Sequence, residues 1–172
     1  MSNIIEKMNQ ALGLELRAIN MYAHYAAYVK GMHRLQLEPM FQGEATESMV
    51  HAATIRNAIV KHGGVCVTER DSHPITHTGN YREMLQFALD TEVKASEIYG
   101  DLLVNLEDID DRELYDAVEQ IYLAELRSVE EIRSILPKQA HSAVQWKASI
   151  DKMLQMGVSV FVECGPGKVL SG

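Results

Sequence analysis

The chain has 172 residues, of which 47% are hydrophobic, 23% charged and only 6% aromatic. That is the composition of one soluble globular domain with a short appendage rather than of two domains. Its net charge of −8 argues against nucleic acid as a partner and suits a surface that attracts cations. The two cysteines, Cys66 and Cys164, lie far apart and in no Cys-x-x-Cys spacing, which indicates neither a disulfide framework nor a thiolate zinc site. With no basic-then-apolar leader and no apolar run approaching a membrane span, a cytoplasmic location without a membrane partner is expected.

Four long segments carry helical periodicity. The first spans about Ile4 to Lys30, with Asn3 and Glu6 set as a capping box and Met8, Ala11, Leu12, Ile19, Tyr22 and Ala26 on one face. The second spans about Pro39 to His62 and is stopped by Gly63-Gly64. The third starts after Asn80 and runs through Leu85, Ala88, Glu92, Ala95, Tyr99 and Leu102. The fourth spans about Asp111 to Leu136, with Leu114, Val118, Ile121, Ile132 and Ile135 facing inward and Pro137 as its stop. Short turns join the first to the second and the third to the fourth, so each pair is an antiparallel hairpin. Between the pairs, Gly63 to Gly79 is rich in Gly, Ser, Thr, His and Pro and reads as one long crossover. An all-α four-helix bundle with a single long crossover is the ferritin-like arrangement.

Beyond Pro137 the texture changes. Residues 137–172 hold four lysines against Asp151 and Glu163, a net of +2, so residues 1–136 carry −10. Trp146, Ile150, Met153 and Leu154 predict a short amphipathic helix closed by Gly157, and Val158–Val162 a strand with no evident partner. The expected organisation is therefore a bundle over 1–136 and a helix–strand appendage over 137–172 that is no independent domain.

Each helical segment carries one potential metal ligand on its apolar face: Glu15, His51, Glu92 and Glu125. A carboxylate in a core is costly unless a charged or hydrogen-bonding group meets it there, and four at matching depth point to a shared ion. A di-iron site in such a bundle takes one Glu from each of two helices and a Glu-x-x-His pair from each of the others. Here the pairs read Ser48-Met49-Val50-His51 and Glu125-Leu126-Arg127-Ser128, so each lacks one member. Glu44 and Glu47, one to two turns before His51, read as a solvated helix edge, with inward-reaching substitutes as the alternative. The bland alternative for the whole cluster is a hydrogen-bonded polar network in which a carboxyl is protonated.

The stretch ELRAINMY around Glu15, and the spacings from Glu15 to His51 and from Glu92 to Glu125, resemble bacterioferritin over roughly Ile4 to Leu136. That resemblance implies a di-iron bundle, ferroxidase chemistry and a dimer-based homo-oligomer. Glu15, His51, Glu92 and Glu125 are then the surviving ligands for iron or another divalent metal, with Ser48 and Ser128 in place of a bridging Glu and a His. Met49 falls where the family places a haem-binding methionine, with core packing as the competing account, and Tyr22 matches its core tyrosine. The loss of the bridge weakens the expectation of a two-electron ferroxidase cycle. It leaves two readings open: a metal-binding protein with residual ferroxidase or storage activity, and a metal-free assembly or interaction module.

The run from Gln139 through Val144-Gln145-Trp146 to Gly165-Pro166-Gly167-Lys168 resembles the C-terminal part of malonyl-CoA:acyl carrier protein transacylases. The Gly-x-Ser-x-Gly nucleophile motif and a catalytic His region are missing, and acyl transfer needs the activated serine and its base together. No acyltransferase activity is expected. The tail is expected to favour a dimer over a large closed shell.

Overall fold

The computed structural model describes residues 2–107 and 109–157. Four helices, α1 (Ser2–Tyr28), α2 (Arg34–Lys61), α3 (Tyr81–Leu106) and α4 (Arg112–Gln155), form an all-α bundle. α1 packs chiefly against α2 and α3 against α4, and the two hairpins meet mainly along α1 and α3. No strand occurs among the described residues, and no helix there is long and apolar enough to cross a membrane.

The expected apolar faces are the ones that pack. Met8, Leu12, Tyr22 and Ala26 of α1, Leu85, Ala88 and Leu102 of α3, and Leu114, Val118, Ile121 and Ile132 of α4 are all buried. They form two apolar clusters rather than one. One gathers Ile4–Leu14 of α1 with Ala52–Ile59 of α2, Ala95–Leu106 of α3 and Leu114–Ile121 of α4. The other gathers Ala18–Val29, Leu37–Ala45, Met84–Ala88 and Ile132–Ile135. Between them, at mid-height, lies a belt of buried polar side chains: Glu15, Arg17, Ser48, His51, Thr91, Glu92, Glu125 and Ser128.

The crossover over residues 62–80 runs along the bundle, since α2 ends beside the first cluster and α3 begins beside the second. Gly63, at φ +74°, takes the left-handed conformation that ends α2. Gly64 then passes so close to Ile5 and Ile59 that a Cβ there would lie 2.7 and 2.9 Å from their methyl groups. Arg17 pins the crossover to the bundle: its guanidinium donates to the carbonyls of His73 (3.0 Å) and Pro74 (3.1 Å) and to Thr91 Oγ1 (3.1 Å).

Three boundaries differ from the sequence expectation. α1 begins at Ser2, which places Asn3 inside the helix and not at its cap. α2 begins at Arg34, directly after a short 3-10 turn over Gly31–His33, and contains Pro39. The missing Pro39 N–H frees the carbonyl of Leu35, a residue that is 86% exposed, where a free carbonyl costs little because solvent has access. A two-pronged Arg34–Glu38 ion pair at 2.6 and 3.1 Å braces the same turn. Pro137 does not end α4: the helix continues to Gln155. The carbonyl that Pro137 leaves without its helical partner belongs to Arg133, an exposed residue, so the lost bond falls where solvent has access. The expected Trp146–Met156 helix is therefore the distal part of α4, capped by Met156 and by Gly157 at φ +87°. The expected strand at Val158–Val162 lies outside the described residues.

Candidate metal centre

Each belt residue is placed by the periodicity that builds its helix. Glu15 stands three residues after Leu12 and three before Ala18, so the stripe that buries those side chains also buries the carboxylate. The same holds for His51 beside Ala52 and Ile55, for Glu92 between Ala88 and Ala95, and for Glu125 between Ile121 and Val129. The four are only 3–7% exposed.

Three of them converge. One ligand atom from each of Glu15, His51 and Glu125 lies within 4.8 Å of the other two. His51 Nδ1 sits 2.9 Å from Glu125 Oε1 and 3.4 Å from Glu15 Oε1. Yet it makes no aligned hydrogen bond with any described residue. A buried ring nitrogen facing two carboxylate oxygens fits two arrangements: three donors that could hold a metal ion together, or an imidazolium ion-paired with both acids. The donor set fits the group: imidazole with carboxylate oxygens suits first-row divalent ions.

Two tyrosines hold the acids. Tyr99 Oη donates to Glu15 Oε1 at 2.6 Å, and Tyr22 Oη donates to Glu92 Oε1. Each tyrosine stands seven residues after the acid on its own helix and bonds the acid on the other, so α1 and α3 brace one another. The Glu15–Tyr22 and Glu92–Tyr99 spacing is legible in the sequence, although Tyr22 was expected only as a core tyrosine and neither tyrosine as a partner of an acid. Glu92 itself lies outside the convergent triplet, beside Glu125 and Tyr22.

Burial shapes the charges. It raises the Glu15 carboxyl above its ordinary range, with His51 opposing and Glu125 adding to the rise. It raises Glu92 well above that range, reinforced by Glu125. Burial alone lowers the His51 imidazole, but Glu125 and Glu15 outweigh it and push the pKa up to about 10. At neutral pH, without an ion, the proton on His51 stands in for a cation, and the rise at Glu92 favours its neutral acid form.

The remaining sequence candidates sort as follows. Ser48 and Ser128 are buried within the belt, 7% and 4% exposed. Met49 is half-exposed, away from the belt. Glu47 keeps to the helix edge, paired with Arg127 at 2.8 Å. Glu44 does not: it turns inward to accept from Ser128 Oγ at 3.3 Å. Burial, and then Glu47, push its carboxyl up to about 7. Its position one turn before Ser48 was the available signal, but spacing alone does not tell an inward rotamer from an outward one.

Comparison with known proteins extends the picture. A crystal structure described as ferritin-like, diiron-carboxylate proteins from Bacillus anthracis str. Ames is 29% identical, with a TM-score of 0.75 over 78% of this chain and 96% of that one. Malonyl CoA-acyl carrier protein transacylases from Haemophilus influenzae and Bacillus subtilis are 52% and 48% identical over 42 residues, 24% of this chain. The chain spans only 14% and 13% of the length of those curated relatives. The model of the ferritin-like domain matches residues 5–140, and with the bundle and its buried belt now in view the chain belongs to that family.

Proposed function

We propose that this protein binds iron, as Fe(II), or another divalent ion between Glu15, His51 and Glu125, and that it works as a bacterioferritin-like iron-handling protein with residual ferroxidase or storage activity. The observation that carries this reading is the convergence of Glu15, His51 and Glu125, all buried, with His51 Nδ1 facing two carboxylate oxygens. The diiron-carboxylate description of the Bacillus anthracis relative supports it. Bound iron is the electron donor in such chemistry. The chain's part is to hold Glu15 through Tyr99, to keep Glu92 on Tyr22, and to give up the proton on His51 as the cation enters. An open depression of about 580 Å³ lined by Gln42, Gly43, Thr46, Glu47, Val50 and His51 supplies a route from solvent to the imidazole. Met49 is half-exposed, and haem bound through it would show as a Soret band in purified protein.

Chelator-treated protein titrated with Fe(II) under argon is expected to take up metal and to melt at a higher temperature. His51→Ala should abolish the gain, and admission of air should then report oxidation by absorbance. The second reading, a metal-free module, draws on the high His51 pKa, which suits an imidazolium bridging Glu15 and Glu125. Protein whose melting temperature ignores Fe(II), in both wild type and His51→Ala, would decide for it.

A further inference from the structure

The crossover brings two histidines together on the surface, outside the polar belt. His24 lies half-buried on the flank of α1, and His77 is exposed in the crossover. His24 Nε2 and His77 Nδ1 stand 3.0 Å apart although 53 residues separate them in the chain. The segment that carries His77 is fixed on both sides. Before it, Ile75 packs against the apolar cluster around Tyr25, and Tyr25 Oη donates to the Thr76 carbonyl at 3.1 Å. After it, Thr78 Oγ1 donates to Glu83 Oε2 at 2.5 Å and accepts from Asn80 N at 3.0 Å. Tyr28, one turn beyond His24, packs its ring against both imidazoles, with centroids 4.5 and 4.6 Å away. Two rings held in this way keep their spacing by themselves, so little ordering is left to oppose a ligand.

We propose that His24 Nε2 and His77 Nδ1 form a surface site for a Cu(II)- or Ni(II)-class divalent ion. At metal–nitrogen distances of about 2.0–2.1 Å, two donors at a right angle lie about 3.0 Å apart, which is the separation these nitrogens already have. Right-angle bites belong to square-planar and tetragonal ions, and imidazole nitrogen suits that end of the first row. Without an ion, one of the two nitrogens carries a proton and donates to the other. Ligation needs both lone pairs, so that ring moves its proton through solvent to its other nitrogen, with no change in charge. No third His, Cys, Asp or Glu joins the pair among the described residues. Water therefore fills the remaining positions, and the ion stays exchangeable. The absence of carboxylates there discriminates against hard ions such as Mg(II) and Ca(II), while the net charge of −8 draws cations to the surface. This site is independent of the centre at Glu15, His51 and Glu125.

The test is a calorimetric titration of the chelator-treated full chain with Ni(II) alone, with bound metal counted after gel filtration. Wild type is expected to bind one more ion per chain than H24A or H77A. The double variant should lose no more than either single one, because both rings serve the same ion. Ni(II) should also raise the melting temperature of wild type more than that of H77A, since the ion ties the crossover to α1. H77Q keeps a hydrogen-bonding group beside His24 but removes the imidazole nitrogen. Its metal-free melting temperature should match wild type while the extra ion stays lost, so that the loss is not unfolding. Equal Ni(II) stoichiometry in wild type and H77Q overturns the site and leaves the pair as a hydrogen bond alone. Losses that add in the double variant also overturn it, because they place the two histidines at separate adventitious positions. Neither result touches the Fe(II) reading, which His51→Ala tests.

Discussion

His51 and Glu44 set the pH response of the belt. The imidazole's folded pKa, about 10, lies above its ordinary 6.5, so its contribution to stability is full below pH 6.5 and is lost as pH rises through 10. Glu44 has the same sign, because its folded pKa of about 7 lies above the ordinary 4.5. Its contribution is lost between those values, and the raised Glu15 and Glu92 act in the same direction. Metal-free protein should therefore melt at steadily lower temperature from mildly acid to alkaline pH. A saturating divalent ion should flatten that slope, because the cation replaces the protons whose loss produces it. Melting curves across pH with and without Co(II) check this, and a metal-free profile that rises with pH would refute it.

At the scale of elements, the helix ends show which local signals governed. Asn80 caps α3 by accepting from Arg82 N at 3.0 Å, and Asp111 caps α4 by accepting from Leu114 N at 3.1 Å. Both follow from residue type, since a short side chain with an oxygen acceptor serves the free N–H groups of a first turn. Asp111 also pairs with Lys61 at 2.9 Å and His62 at 3.0 Å, tying the end of α2 to the start of α4. Proline was the weaker signal. A proline inside a helix costs up to about 3 kcal/mol, and α4 crosses Pro137 nonetheless, with eighteen further residues in helical form to Gln155. Pro137→Ala should consequently raise the melting temperature, by restoring a hydrogen bond to a helix that already runs through the site. A fall on this substitution would mean that the proline is a real terminus.

For the whole molecule, the open matter is assembly. α2 presents Met32 and Leu35 just before and within its first turn, and Met49, Val50 and Val60 further along, each at least half-exposed. An apolar stripe of that kind is a candidate contact between copies. α4 meanwhile extends 19 residues past Leu136, roughly 28 Å of helix at the usual rise, and its Met153, Leu154 and Met156 are exposed. We propose that this rod leaves the α2 face free to pair but obstructs closure of a shell, so that the protein is a dimer. Native mass spectrometry of the full chain should give twice 19.3 kDa. A mass corresponding to a shell of many copies would refute the obstruction.

How much of this was legible in the residues depends on the range of the forces involved. The bundle, the crossover, the glycine stop of α2 and the placement of Glu15, His51, Glu92 and Glu125 on inner faces follow from periodicities within single segments, which the sequence by itself determines. The sequence also shows serine at 48 and 128, where a Glu-x-x-His pattern would have a Glu and a His. Three things waited for the tertiary structure. Pro137 could be tolerated because Arg133 faces solvent, the exchange of Tyr22 and Tyr99 across α1 and α3 needs both helices in place, and Glu44 turns inward because Ser128, 84 residues away, leaves it room. A pattern along one helix states which side chains share a face. Only packing against other helices decides how far a long acid on the margin of that face bends, because its partner lies on another part of the chain.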